Sequence, residues 1–428
     1  MLGSLRVGAR GPGTINRMRA RALVPLGLVV AALTLDAGFP PAARADDQTF
    51  PQATDHGATD WTDRVDDVVG GRSISVAIGN DGEAWYRHKA WVKRPPASNE
   101  KLLLSMALLN RFELTRTIRT RAMAATAPAD GVLQGDLWLV GAGDPETGFG
   151  DMTSIANQLV SSGLTKIRGR VIGATSLFVR DWWARGWRDY FPSVFVQIPT
   201  ALTFRGNQAP AGWHVRDPER RAAAYLTHRL ERRGVEVTRT PRMGPAPSGL
   251  QTLAEVRSAP LRVIMRRMNV SSSNLRAEVL GKYLGRDRFG QPSIDGGARA
   301  IRAFVRARGF EVTTYDSSGL SYANRISADS ILQLLWFADA QTWGGPLRNT
   351  LPMGGQGTLK GRLEKVRIHA KTGTLINVSA LSGWVWLGRS QEWAEFSILS
   401  RGINASSAKF LENRIVRIVA NAAVDPTP

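Results

Sequence analysis

The chain has 428 residues, 43% hydrophobic and 21% charged, a globular composition long enough for two domains and without a tract biased toward disorder. It contains no cysteine, which excludes disulfides, thiolate zinc sites and thiol nucleophiles. Lys and Arg outnumber Asp and Glu by 56 to 36, a formal charge of +20 that favours polyanionic partners.

Residues 1–45 begin with Arg6, Arg10, Arg17, Arg19 and Arg21, continue in an apolar run from Ala22 to Leu35 and end at Ala43-Arg44-Ala45. That is the order of a secretory signal peptide. The run is interrupted by Pro25 and Gly27 and falls short of the roughly 20 residues that span a bilayer, so cleavage is expected over retention as an anchor. The mature chain is then exported, and either periplasmic or associated with the cell wall. Loss of six arginines and Asp36 leaves 50 basic against 35 acidic residues, or +15. Outside the cytoplasm that charge suits anionic wall polymers or a membrane surface, not nucleic acid, although arginines such as Arg220, Arg221, Arg229, Arg232 and Arg233 also read as a solvated helix face.

Residues 72–88 hold two strand-like runs around Asn80-Asp81-Gly82, a hairpin signal. After Pro95 and Pro96, Leu102, Leu103, Met106 and Leu109 recur at helical spacing, which predicts a helix with one buried face and Ser98 at its mouth. From 126 to 250 short β-like runs surround a helical stretch near 153–163, and an aromatic segment carries Trp182, Trp183, Trp187, Tyr190 and Phe191. This reads as a separate β-rich module, closed by a helix between Pro218 and Gly234. Its aromatics serve either as a binding surface or, more in keeping with their bulk, as packing against the rest of the chain. Beyond it, Leu275, Val279 and Tyr283 mark one helix face, Gly309 ends a second helix, and Ser327 stands at the N-cap of a third. Three strands and an amphipathic helix finish the chain. Strands at both ends with helices between them predict an α/β (α+β) domain made of residues 46–125 and 251–428 and interrupted by the module at 126–250.

Ser98 and Lys101 lie three positions apart, and i, i+3 residues share a helix face, so the amine can reach the hydroxyl. A serine needs such a base, and a lysine serves as one only when desolvation or nearby cations lower its pKa. The spacing alone says little: Ser406 and Lys409 repeat it, and an N-cap serine beside a snorkelling lysine would look the same. What separates the first pair is Ser272-Ser273-Asn274 before a helix and Lys371-Thr372-Gly373 at a strand end. Gly373 clears space where a peptide would pair with the strand, and Lys371 and Thr372 offer a cation and a hydroxyl to a carboxylate.

Ser-x-x-Lys, Ser-x-Asn and Lys-Thr-Gly in that order resemble the three-part signature of the penicillin-recognising acyl-serine enzymes. "GDLWLVGAGDPE", "DSSGLSYANRIS", "LPMGGQGTLKGRL" and "HAKTGTLINVSALSGWV" narrow the resemblance, over about residues 70–422, to D-alanyl-D-alanine carboxypeptidases/endopeptidases of the class C low-molecular-mass penicillin-binding proteins. The resemblance implies an antiparallel sheet with helices on both faces. It also implies one inserted module, since the 170 residues between Lys101 and Ser272 hold only the short 207–217 where a second would enter. The pattern departs from the family at Asn99, Glu100 and Ser273 and at Asp316-Ser317-Ser318-Gly319, which replaces a glycine-rich version, and Glu100 would alter the charge beside Lys101.

By the same resemblance, Ser98 attacks a D-Ala-D-Ala bond of a peptidoglycan stem peptide and Lys101 takes its proton. Ser272 relays a proton to the leaving amine with the help of Lys371, and Asn274 binds the substrate amide. The N–H groups of Ser98 and Thr374 hold the oxyanion, while Thr372 and Gly373 complete the substrate-binding strand. β-Lactams are the implied covalent inhibitors, and no metal or cofactor is called for. A β-lactamase, a transpeptidase and a catalytically weak or inactive wall-binding homologue share these motifs. A class A β-lactamase would add a Glu-x-x-x-Asn segment between Asn274 and Lys371, and the sequence has none there.

Overall fold

The computed structural model describes residues 61–422, so the signal-peptide reading of residues 1–45 lies outside the described residues. Helix α1 (Trp61–Val69) leads into the hairpin β1 (Ile74–Asn80) and β2 (Glu83–His88). Asp81 and Gly82 at its tip have φ of 47° and 87°, the left-handed pair that matches a hairpin turn to strand twist. A single 3₁₀ turn, Ala97–Asn99, runs into α2 (Glu100–Leu109). All ten residues of α2 are buried, including Glu100, Lys101 and Ser105, so the single buried face expected from the spacing is corrected to burial all round.

Next come β3 (Arg119–Ala124), β4 (Val132–Leu133), β5 (Leu137–Gly141), α3 (Phe149–Ser161), β6 (Lys166–Ile167) and β7 (Val171–Ala174). They are followed by α4 (Phe191–Val194), α5 (Pro218–Glu231), β8 (Glu236–Val237), β9 (Arg242–Gly244) and β10 (Gln251–Arg257). These strands make one five-stranded sheet, β10-β3-β5-β7-β9, and one three-stranded sheet, β4-β6-β8. The larger is antiparallel between β10, β3 and β5 but parallel from β5 through β7 to β9. Residues from α3 and α5, the two helices expected near 153–163 and between Pro218 and Gly234, share its apolar core. Its main sheet draws on residues 119–257, a little beyond 126–250 at either end.

The remaining elements are α6 (Leu261–Ser271), α7 (Asn274–Phe289), α8 (Ile294–Arg306), α9 (Ala328–Asp339), α10 (Gly344–Arg348), β11 (Ile368–Leu375), β12 (Val378–Leu387), β13 (Glu392–Arg401) and α11 (Ala405–Ala420). Helices α1, α4, α6 and α10 were not expected from the sequence. Ser327 caps α9 by accepting the Ser330 N–H at 3.0 Å, as its position predicts.

Strands from the two ends of the chain meet in an antiparallel five-stranded sheet, β11-β12-β13-β1-β2. Strand side chains alternate, and here both faces are covered. Ile74, Val76, Ile78, Leu381, Val385 and Ile398 join α1 and α11 on one side. Ala77, Ala380, Trp384 and Leu399 join α2 and α6–α9 on the other. Where α7 and α8 cross, they touch backbone to backbone: a Cβ on Gly285 would stand 2.4 Å from the Gly296 carbonyl carbon. Gly285→Val is expected to lower stability by about 1–3 kcal/mol through overpacking. The check is the shift of the thermal unfolding midpoint.

Candidate active site

From Arg94 to Leu109 every residue is buried except Ser98. The turn that presents it is strained, because Ala97 has φ of 46°, a conformation rare for a residue with a Cβ. Two glycines hold that turn in place. A Cβ on Gly319 would lie 1.8 Å from the Ala97 carbonyl oxygen, and one on Gly373 would lie 2.7 Å from that of Pro96 and 3.0 Å from the Ser98 nitrogen. Ser98 makes no capping bond, so its hydroxyl is left for Lys101.

The Lys101 amine is buried and donates to three oxygens: Ser98 Oγ at 2.9 Å, Asn274 Oδ1 at 2.8 Å and the Ser318 carbonyl at 2.6 Å. Three acceptors match the three N–H groups of an ammonium. A neutral amine has two N–H groups and a lone pair, and of the three partners only the serine hydroxyl can donate in return. The Ser318 carbonyl cannot, and Asn274 is fixed with its oxygen toward Lys101 because its Nδ2 donates to the Phe195 carbonyl at 2.9 Å. Deprotonation of Lys101 therefore turns the Ser98 O–H onto the lone pair, which is the arrangement a general base requires.

Burial lowers the Lys101 pKa to about 8, against the opposing pull of Asp316, Glu278 and Glu100. Those carboxyls crowd one another. Burial, and next the charge on Asp316, push Glu100 well above the ordinary carboxylate range, and the same causes in the same order raise Glu278 to about 8. Glu100 accepts from the Thr314 hydroxyl at 2.9 Å and Asn324 Nδ2 at 3.3 Å, and Asn99 Nδ2 donates to Ser382 Oγ at 2.7 Å. The two residues that stand between Ser98 and Lys101 in sequence thus both turn into the core.

Ser272 ends α6 in the left-handed conformation, φ 53°, and its hydroxyl accepts from Lys371 Nζ at 3.0 Å. Lys371 also donates to the Thr372 carbonyl at 2.9 Å. Desolvation, and then the charge of Lys101, hold its amine well below the usual lysine range. Ser273 caps α7 by accepting the Arg276 N–H, a role for which Ser and Asp serve equally well. Thr372 Oγ1 donates to Thr358 Oγ1 at 2.7 Å, and Thr374 lies two residues further along β11, paired with Ser379. β11 is the edge strand of its sheet, and Gly373 on it backs onto the Ser98 turn. Beside Ser273 opens a cleft of about 630 Å³, whose walls include Glu146, Arg267 and Arg276.

The structure thus brings Ser98, Lys101 and Asn274 into one cluster and Ser272 and Lys371 into another, with Thr372, Gly373 and Thr374 along the adjoining edge. Ser406 and Lys409 belong to α11, whose residues share the core on the far side of the sheet. The aromatic segment divides: Trp187 and Phe191 are buried against Val196 and Leu320, while Trp183 and Tyr190 are exposed. Trp187 Nε1 donates to Asp316 at 2.6 Å. The parts that sequence reasoning missed are Glu278, the Ser318 and Phe195 carbonyls, and Thr358. Glu278 could have been suspected from its place beside Leu275 and Val279 on a helix interrupted by Gly281 and Gly285, but four residues before Lys282 it imitates a surface ion pair.

A serine held by a buried lysine, beside a second serine–lysine pair on an antiparallel edge, defines the penicillin-recognising fold. The chain superimposes on penicillin binding protein 4 from Haemophilus influenzae with a TM-score of 0.72 at 20% identity, over 82% of this chain and 98% of the other. The same protein complexed with a β-lactam gives a TM-score of 0.66. The sequence profile of the D-Ala-D-Ala carboxypeptidase 3 (S13) family matches residues 63–210 and 191–422, and the chain belongs to that family of serine-type hydrolases, as the class C resemblance implied. A D-alanyl-D-alanine carboxypeptidase from Actinomadura sp. (strain R39) is 25% identical over 99% of this chain and 93% of its own length. Carboxypeptidase DacB from Mycolicibacterium smegmatis is 29% identical over 78% and 76%. Among the described residues no helix is long and apolar enough to cross a membrane.

The Lys101 amine is expected to titrate near pH 8, charged below and neutral above, well under the ordinary lysine value of 10.5. NMR of protein labelled with ¹³C at lysine Cε, with Lys101→Met to assign the resonance, measures the midpoint directly.

Proposed function

We propose that the protein is a serine D-Ala-D-Ala carboxypeptidase acting on peptidoglycan stem peptides, with endopeptidase action on cross-linked stems by the same steps. The reading is carried by the Lys101 amine, whose geometry leaves Ser98 as the one partner able to give it a proton. Ser98 Oγ attacks the carbonyl carbon of the penultimate D-Ala as its proton passes to Lys101 Nζ. The oxyanion is held by the N–H groups of Ser98 and Thr374, donors whose individual loss costs about 10²–10³-fold in rate. One Asn274 Nδ2 hydrogen is engaged by Phe195, and the second binds the substrate amide carbonyl. Lys371, with Thr372 and the unpaired edge of β11 beside Gly373, receives the terminal carboxylate. Collapse breaks the C–N bond, and the proton that Lys101 took from Ser98 passes to the leaving amine through the Ser272 hydroxyl, which is backed by Lys371, so that Lys101 is neutral again. Water attacks the ester carbonyl as its proton passes to the now neutral Lys101 amine, and when the C–O bond to Ser98 breaks, that proton returns to Ser98 Oγ. β-Lactams form the same ester and leave slowly.

The sheet built from residues 119–257 is a module inserted in this catalytic domain. Residues 1–45 export the chain to the periplasm or wall, where its positive charge favours anionic polymers or membrane surfaces.

Ser98→Ala is expected to abolish labelling by a fluorescent penicillin and release of D-alanine from purified muropeptides; retained labelling sinks the assignment. In the wild type the acylation rate is expected to climb with pH and level off above a midpoint near 8, because the neutral amine is the base. A rate flat between pH 6 and 9 contradicts Lys101 in that role.

A further inference from the structure

Asn274, Glu278 and Lys282 stand four residues apart on α7 and so form one stripe along the helix. All three carry polar heads into the interior. Asn274 meets Lys101 and the Phe195 carbonyl. Lys282 donates to the carbonyls of Val179, Asp181 and Pro199 at 2.9, 3.2 and 2.9 Å and pairs with the Asp181 carboxylate. It thereby ties residues 179–199 to the same helix. Glu278, between them, is fully buried and touches neither the nucleophile nor the lysine amine through a hydrogen bond.

What Glu278 does hold is the segment behind Lys101. Its Oε1 accepts the Ser318 N–H at 2.8 Å and the Ser317 N–H at 3.1 Å. The next peptide group belongs to the Ser318 carbonyl, which takes the shortest of the three Lys101 bonds, 2.6 Å. Asp316 closes the same turn by accepting the N–H groups of Gly319 and Ser321 at 3.0 and 2.8 Å. Gly281, one turn along from Glu278 on α7, lets the turn approach: a Cβ there would lie 2.0 Å from Ser317 Oγ.

We propose that Glu278 is a positioning residue for Lys101: by gripping two successive backbone N–H groups it aims the Ser318 carbonyl at the lysine amine and places a carboxylate behind it. This rests on the catalytic reading of Lys101 given above. The carbonyl accounts for one of the amine's three protons, so fixing it leaves the lone pair of the neutral amine no direction but Ser98. The charges facing Lys101 are Glu100 beside it on α2, Glu278 on α7, Asp316 in the 316–321 turn and Lys371 on β11; Glu278 also faces Lys282. Glu278 and Lys101 lose their protons in the same range, near pH 8, and where Glu278 is ionised it favours the ammonium, so a neutral residue in its place is expected to let the amine lose its proton at lower pH.

The test is Glu278→Gln, followed by the ¹³Cε lysine titration of Lys101 and by the rate of fluorescent-penicillin acylation from pH 6 to 10, with the labelled peptide mapped. Expected are a Lys101 midpoint lower by at least about half a pH unit and an acylation plateau reduced about tenfold or more, with the label still on Ser98. A residue that only braces the fold would leave that midpoint in place, so an unmoved midpoint in folded protein overturns the proposal. Wild-type protein that takes no label on Ser98 overturns the catalytic reading instead, and the midpoint still decides the role of Glu278. Should Glu278→Gln not fold, Glu278→Asp is measured in the same way. It keeps the charge but is one methylene short of the two N–H groups, and a plateau equal to wild type there overturns the positioning role.

Discussion

Everything at this site follows from hiding one amine from water. A lysine amine in the interior must find acceptors for its protons or give one up, and here the three acceptors come from three distant stretches: Ser98, Asn274 and Ser318. The first is the serine proposed as the nucleophile, the second begins a helix, and the third closes a turn between helices. Satisfying the amine therefore assembles the site. The surrounding charges set how firmly it keeps its proton: Asp316, Glu278 and Glu100 oppose the desolvation, and Lys371 has no carboxylate among its hydrogen-bond partners. The result is an amine whose pKa is lowered to about 8, in the range the proposed general base needs.

The order of the three motifs made the site legible in the sequence, and so did the hairpin, the last three strands and the closing helix, because each rests on local spacing. Ser98 could be told from Ser406 only by what comes after it. What stayed hidden depends on burial. The spacing of Leu102, Leu103, Met106 and Leu109 announces a helix but not that Glu100 and Lys101 are enclosed with them. Glu278 and Lys282 have the spacing of a solvent-exposed pair, and nothing local says that the 316–321 turn and residues 179–199 cover them. The parallel ladders β5-β7-β9 were missed for a related reason: parallel strands are joined by helices, and short apolar runs do not reveal which neighbour they pair with.

Residues 179–199 connect the second sheet to the chemistry. They leave β7, lay Trp187 on Asp316 and Phe195 on Asn274, and are held by Lys282 from below. Trp187 and Asn274 sit at opposite ends of a chain of contacts that runs through Asp316, the 316–321 turn and Lys101. A change in how the aromatic segment packs is thus a change in the surroundings of Lys101, even though among the described residues no aromatic side chain hydrogen-bonds to Ser98 or Lys101.

The open edge of β11 also bears on how the protein avoids its own kind. An unpaired strand edge invites a neighbour's strand, and a peptidase that reads extended peptides cannot cover it. Here the stretch without a main-chain partner is kept short. Upstream, the Pro352 carbonyl takes the Ala370 N–H and Met353 bridges His369; downstream, the Tyr322 hydroxyl occupies the Ile376 N–H. Between these stops, among the described residues, the outer edge from Lys371 to Leu375 has no main-chain partner. That gap admits the tail of a short peptide, while a full-length strand from a second molecule would run into a stop at either end. The edge is selective by length before any side chain is consulted.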